Sequence, residues 1–318
     1  MRIRMLLLLA GISAATAITQ ASVNQTVNQE NIYLPLVSTS STGRIAYVND
    51  GTADWSIHVV DGDGTGDHAI TDFPLTMPDN PSWSPDGTRL AFDMFEQDVS
   101  SRQIYVMQDD GSNVQRITND PVGASDPAWS PDGSRIAFVA HRDGNGEIYV
   151  MDADGSNPVR LTNHPSLDAE PAWSPDGSRI VFSSRRDLDT EIYVMSANGS
   201  NLTRLTTVEG VDSNPAWSPN GLWIAFCSQR GGPGGSFVPP DLYVMNSDGS
   251  GAVNLTNTDE YINCWPTWSA DSARIAFTLG RILPTAPSSA IYTIGVNGTG
   301  TAYLAGSFRY NFRSDWSR

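Results

Sequence analysis

The chain of 318 residues carries 35 acidic and 19 basic side chains, every basic one an arginine, for a net charge of −16 at pH 7. So acidic a chain, without a basic cluster, suits neither nucleic acid nor an anionic membrane surface, since attraction to phosphate dominates both affinities. The lack of lysine excludes Schiff-base chemistry, and no stretch beyond the first residues is apolar enough to span a bilayer.

Met1-Arg2-Ile3-Arg4 is a short basic start, and Met5 to Ala17 is a run of apolar and small residues ending in the cleavage-like Ala15-Thr16-Ala17. Residues 1–21 therefore read as an export signal rather than a membrane anchor. No cysteine follows the run, so a lipid anchor is not expected. Residues 22–40 are rich in Asn, Gln and Thr and are expected to form a flexible tether. Within them Ile32 to Val37 is more apolar, and either packs against the rim of the following domain or serves as an attachment segment.

Residues 41–318 repeat one unit. A β-branched and aromatic strand appears as Arg44-Ile45-Ala46-Tyr47, Arg89 to Phe92, Arg135 to Phe138, Arg179 to Phe182, Trp223 to Phe226 and Arg274 to Phe277. A second strand follows each: Ile57 to Val60, Ile104 to Met107, Ile148 to Met151, Ile192 to Met195, Leu242 to Met245 and Ile291 to Ile294. Turns of the type Asp154-Gly155-Ser156 or Asn198-Gly199-Ser200 then lead to a short strand such as Leu202 to Thr206. The word Trp-Ser-Pro-Asp-Gly precedes the first of these strands at Trp83, Trp129 and Trp173, and decays at Trp217 and Trp268. Its proline and glycine suit the second and fourth positions of a type I turn. With Trp316, the six tryptophans are spaced 44 to 51 residues apart. A period of that size with four short strands per unit predicts propeller blades. The expected fold is all-β, a six-bladed β-propeller of four-stranded antiparallel blades. The first unit lacks a Trp strand, and Trp316 has nothing after it. The C-terminal strand is therefore expected to complete the N-terminal blade and so remove an exposed edge.

Taken together, the Trp-Ser-Pro-Asp-Gly turn and the Arg-Ile-Ala-Phe, Ile-Tyr-Val-Met and Arg-Leu-Thr strands resemble the propeller repeats of the TolB family. These are related to the WD40-like (PD40) repeats of bacterial exported proteins. The resemblance spans roughly Arg44 to Trp316. It implies an exported protein, periplasmic, cell-surface or extracellular, whose channel receives a protein or peptide segment. Residues 22–40 are too few for the α/β domain that precedes the propeller in TolB itself. Propellers host unrelated activities, so function has to be read from the site.

Because blade strands alternate in direction, the Pro-Asp-Gly and Asp-Gly-Ser turns share one face. The hairpins and blade links share the other, and they vary in length and composition. Loops that vary on a rigid scaffold commonly carry function. The residue three before each Trp should sit at the channel mouth of that face: Asn80, Asp126, Glu170, Asn214, Trp265 and Arg313. Just outside come His141 and Arg142, Arg185 and Arg186, and Gln229 and Arg230. One reading is a funnel that grips a peptide or small polar ligand. The plainer reading pairs Arg142 and Arg186 with Glu147, Asp187 or Glu191 inside their own hairpins. The insertion after Gln229, the hairpin after Arg281 and the link before Trp268 depart most from the repeat, and Phe237, Tyr261 and Trp265 are candidate apolar anchors there.

Cys227 follows one strand and Cys264 precedes the next Trp strand, so both fall on this face, as a disulfide or as two buried thiols. Asp61 to Asp72 imitates a Ca²⁺ loop, but it aligns with Asp152 to Asn163 and reads as an ordinary turn of the repeat. His58, His68, His141 and His164 occupy different slots of the repeat, and no Gly-x-Ser-x-Gly elbow joins a strand to a helix. No metal or cofactor is expected. Asp126 and Glu170, in equivalent slots of neighbouring blades, leave one enzymatic alternative, a carbohydrate-active hydrolase or lyase with paired carboxylates. The favoured reading is a monomeric, non-catalytic propeller that binds a protein or peptide through its loop-rich face and channel mouth.

Overall fold

A computed structural model describes residues 43–50, 55–72, 76–96, 101–230, 238–258, 261–281, 289–308 and 314–317. The segments 1–21 and 22–40, Phe237 and Arg313 lie outside these residues. Among the described residues, 24 strands form six four-stranded antiparallel sheets and no helix.

Blade one contains β1 (Arg44–Asn49), β2 (Ser56–Asp61) and β3 (His68–Ala69). Blade two is β4 (Met77–Trp83), β5 (Arg89–Glu96), β6 (Ser101–Gln108) and β7 (Gln115–Arg116). Blade three is β8 (Ala124–Trp129), β9 (Arg135–Ala140), β10 (Glu147–Asp152) and β11 (Val159–Arg160). Blade four is β12 (Asp168–Trp173), β13 (Arg179–Asp187), β14 (Asp189–Ser196) and β15 (Thr203–Arg204). Blade five is β16 (Asp212–Trp217), β17 (Trp223–Ser228), β18 (Asp241–Asn246) and β19 (Val253–Asn254). Blade six is β20 (Tyr261–Trp268), β21 (Arg274–Arg281), β22 (Ser289–Gly295) and β23 (Ala302–Phe308), and the last strand, β24 (Ser314–Trp316), returns to blade one.

That return closes the ring as expected from the sequence. Ile45 pairs with Trp316 and Tyr47 with Ser314, so β24 is the innermost strand of blade one. Arg44 and Ser317 exchange two hydrogen bonds at 2.7 Å, and Trp83 in blade two donates its amide to Asp315 Oδ2 at 2.7 Å. With β24 in place β1 is paired on both sides and blade one has four strands like the other five.

The repeated residues explain the repeated shape. In the turn after Trp83, Ser84 Oγ donates to Asp86 Oδ1 at 2.6 Å and accepts the Arg89 amide at 2.9 Å. The same pair of bonds recurs at Ser130, Ser174, Ser218 and Ser269. In the core Phe92, Phe138, Phe182, Phe226 and Phe277 are fully buried, each facing a tyrosine of the neighbouring strand at 5.6–6.4 Å. The tryptophans wedge between blades. Trp173, for example, packs with Ala137, Val139 and Ile148 of blade three and with Ile180 and Phe182 of its own blade.

The arginine that opens each second strand has a role not evident from the repeat alone. Arg44, Arg89, Arg135 and Arg179 lie 4.5–4.9 Å over the rings of Trp83, Trp129, Trp173 and Trp217, one blade on. In blade five Trp223 replaces the arginine and stacks on Trp268 at 6.1 Å. A flat guanidinium covers an indole as lysine does not, which gives the all-arginine composition a structural use.

Candidate functional site at the channel mouth

Each inner strand from β4 to β20 loses register with its neighbour at one place. The breaks fall between Asp79 and Ser82, Ser125 and Ala128, Ala169 and Ala172, Ser213 and Ala216, and Cys264 and Thr267. At the break stand the residues chosen from the sequence, and all five have left-handed backbones: Asn80 at φ 52°, Asp126 at 55°, Glu170 at 58°, Asn214 at 53° and Trp265 at 56°. A proline follows every one, and proline pushes the preceding residue towards extended conformations. Left-handed geometry costs a non-glycine residue about 1–2 kcal/mol, so strain is concentrated in a ring at one end of the channel.

Hydrogen bonds to the preceding blade hold the ring. The Asp126 amide donates to Asp93 Oδ2 at 3.1 Å, the Asn214 amide to Glu170 Oε2 at 2.6 Å, and the Trp265 amide to Cys227 Sγ at 3.2 Å. Asp93 and Cys227 occupy one slot, the residue after the buried phenylalanine. In blade four that slot is Ser183, whose hydroxyl donates to Glu170. Asn80 joins through its side chain, donating to Asp93 Oδ2 at 2.5 Å. The five ring residues, their prolines and the six tryptophans line a channel cavity of about 190 Å³ that continues to Pro85, Pro131 and Pro219 of the opposite face.

Asp93 is the acid that sequence reasoning missed. The same slot holds Val48, Val139, Ser183, Cys227 and Thr278 in the other copies, so a charge standing alone among apolar and small residues was the available signal. Asp93 is fully buried. Burial pushes its carboxyl up to about 7, against the opposing pull of the Arg102 guanidinium and with the repulsion of Asp79 and Asp126.

The other residues singled out from the sequence divide into groups. His141, Arg185 and Gln229 share one slot, and their amides donate to Gly123, Leu167 and Val211 at 2.9–3.1 Å. None of the three lines the channel, and neither does Tyr261, which is half-buried at the start of β20. Arg185 is exposed, and among the described residues its side chain has no ion-pair partner. The pairing of Arg142 and Arg186 within their own hairpins is not what forms. Arg142 reaches back to Asp120 in the link before β8 at 2.6 Å and Arg186 to Asp168 of the inner strand β12 at 2.7 Å, while Glu147 and Glu191 are taken by Arg160 and Arg204 of the outer strands. Cys227 and Cys264 form a disulfide between blades five and six, closing a separation of 37 residues. A loop of that length is worth about 4 kcal/mol in the chain-entropy model. Among the described residues no group of three or more His, Cys, Asp or Glu is arranged to hold a metal ion.

The model of the TolB beta propeller domain (PD40) matches residues 37–232 and 186–281 of this chain. Among solved structures, TolB from Acinetobacter baumannii is 23% identical with a TM-score of 0.70, the match covering 88% of this chain and 67% of that one. The putative TolB from Agrobacterium tumefaciens is also 23% identical, with a TM-score of 0.65 over 84% of this chain and 91% of its own. An oligogalacturonate lyase from Vibrio parahaemolyticus is 17% identical, with a TM-score of 0.53 over 75% and 71%. At these identities the likeness is one of fold. No curated protein matches the chain.

Proposed function

The chain belongs to the TolB beta propeller domain family, and from that premise we propose that it is an exported, non-catalytic propeller that binds a protein or peptide segment at its channel mouth. The observation that carries this reading is the ring of five left-handed residues, each forced against a following proline. Strain repeated in five blades at one end of a channel, and anchored blade to blade, holds five side chains of four kinds in fixed positions around a single opening. Such a rim suits recognition of an irregular polypeptide surface better than enclosure of one small substrate. Export is supported by the signal-like residues 1–21 and by the interblade disulfide, a bond favoured in oxidising compartments.

The hydrogen bonds of Glu170 argue against a pair of catalytic carboxylates. It accepts from the Asn214 amide, from Asn214 Nδ2 at 3.0 Å and from Ser183 Oγ, so its oxygens serve as a spacer between blades four and five. A general acid or base needs a free oxygen within reach of its substrate.

The test is photo-crosslinking in the producing cells, with a benzophenone amino acid replacing Trp265 at the mouth or Leu222 on the opposite face. Leu222 is 58% exposed in its turn. Adducts with a polypeptide from position 265 and none from position 222 are the expected result. Equal labelling from both positions, or none from 265, overturns the reading.

A further inference from the structure

A second cavity lies on the same face, away from the channel, in the seam between blades two and three. Its volume is about 570 Å³. It exists because blade three departs from the repeat. At the start of the inner strand blade four has Leu167-Asp168 and blade five has Val211-Asp212, but blade three has Gly123-Ala124. The amide bonds of His141 to Gly123, Arg185 to Leu167 and Gln229 to Val211 fix this equivalence. Two side chains are thus cut back at one point of the seam. Gly123, at φ 132°, also lies against the backbone of Arg102, whose carbonyl would be 3.4 Å from any added Cβ.

Loss of the aspartate redirects an arginine. Arg186 and Arg230 bond the buried Asp168 and Asp212 and are only 13% and 12% exposed. Arg142, with Ala124 in place of that acid, gives its Nε to Asp120 instead and remains 32% exposed. Asp120 is itself held by the amides of Val122 and Gly123 at 3.0 Å. Among the described residues, the two Nη groups of Arg142 and the ring nitrogens of His141 have no hydrogen-bond partner. On the other wall Arg102 is steadied by Asp93, Asp79 and the Met77 carbonyl. Asp93 and Asp120 are fully buried beneath their guanidiniums, so the charge turned to the groove is that of the half-buried Arg102 and Arg142. Phe95 and the 58% exposed Val122 supply apolar surface beside them.

We propose that this groove is a binding site for a carboxylate carried on an apolar group, with Arg142 and His141 receiving the carboxylate and Phe95 and Val122 the apolar body. The site is distinct from the channel mouth, and neither reading depends on the other. A planar guanidinium with two spare parallel N–H groups matches a carboxylate in a two-pronged pair, and the volume lies within the range of small-ligand sites. The ligand is either a free acid or the C-terminal end of a polypeptide, which present the same chemistry.

The probe is 3-phenylpropanoate, titrated against the full chain and followed by the backbone amide resonances of Gly123, His141 and Gly144. Saturable shifts confined to that seam are expected, weakened about tenfold or more with 3-phenylpropanamide, which keeps the shape and loses the charge. Ala124→Asp restores the acid that blades four and five carry. It should take Arg142 and abolish binding while the unfolding midpoint stays at or above that of the parent. Val122→Glu, on the exposed rim, tests the charge while keeping the backbone amide that holds Asp120, and should weaken binding about tenfold. A short peptide ending in phenylalanine, compared with its C-terminal amide, separates the sources: tighter binding of the acid peptide than of phenylpropanoate identifies a chain end, and equal or weaker binding identifies a free acid. Equal binding of the acid and amide probes, unaltered binding in Ala124→Asp, or no shift at the seam overturns the proposal.

Discussion

The two faces of this ring are built from the same strands and follow opposite rules. On the turn face the residues repeat and so do their bonds: Ser to Asp, Gly to Ser, Arg over Trp, blade after blade. On the mouth face the backbone device repeats while the side chains do not. Five left-handed residues carry Asn, Asp, Glu, Asn and Trp, and the slot behind them changes from Asp93 to Ser183 to Cys227. Constancy on one side and variety on a constant frame on the other is how a scaffold separates stability from recognition.

The sharpest way to test that separation is within the turn face, where two glycines look alike in sequence. Gly111 has φ 81°, and a Cβ there would stand 1.8 Å from the Ile70 carbonyl of the preceding blade. Gly87 has φ 67° and nothing within 4 Å. Gly111→Ala should therefore cost about 3 kcal/mol or more, since a blade contact must open, whereas Gly87→Ala should cost only the left-handed penalty of about 1 kcal/mol. Urea unfolding of both variants measures the gap. Equal losses would mean that the Asp-Gly-Ser turn is a local feature and does not clamp one blade to the next.

On the mouth face the largest effect belongs to Asp93. Its folded carboxyl sits near 7, above the roughly 3.9 of an unfolded chain. Between those values the native protein holds a proton that the unfolded chain has released, so stability falls as pH rises from about 4 to about 7. Arg102, Asp79, Asp126 and Asn80 face the group. Asp93→Asn keeps an oxygen for the Asp126 amide and removes the titration. The difference in stability between the two chains should change by about 2–4 kcal/mol across that window, in favour of the variant at the alkaline end. Glu191 and Asp212, which burial also raises, add slopes of the same sign to both chains and cancel in the difference. Superimposable pH profiles would show that the ring is held without help from this charge.

How far the sequence could be read follows the same division. Blade number, strand order and closure by Trp316 were legible because each rests on residues that recur, and the ring residues were legible by counting three back from each tryptophan. Their left-handed backbone was not, since Asn-Pro, Asp-Pro, Glu-Pro and Trp-Pro share no signal beyond the proline, which by itself suggests extended chain. Of the two readings open for Arg142 and Arg186, the plainer pairing fails because the nearest acids in sequence lie on strands whose outer neighbours supply Arg160 and Arg204. The groove at Ala124 is visible only once Leu167, Val211 and Gly123 are known to occupy one position. Chain-local reasoning sees what repeats, and a departure takes on meaning only after the register is known.

The smallest expected effect closes the comparison, because the chain has already made the substitution. Asp132 is held at about 2 by the Ser130 hydroxyl first, then by the Ser134 amide and hydroxyl. A lowered carboxyl contributes stability that is complete above roughly 4 and is lost as pH falls towards 2. The side chain is largely exposed, so solvent screening keeps that contribution below about 1 kcal/mol. In blade five Asn220 fills the same position, where it accepts from Ser218 Oγ at 2.8 Å and from the Leu222 amide at 3.0 Å. Asp132→Asn should therefore cost less than Gly87→Ala at pH 7, and the cost should vanish near pH 2 as the parent's own carboxylate is protonated. Thermal unfolding at the two pH values decides it. A loss that persists at pH 2 would mean that the turn depends on the shape of the acid rather than its charge, and blade five would then need its own explanation for tolerating Asn220.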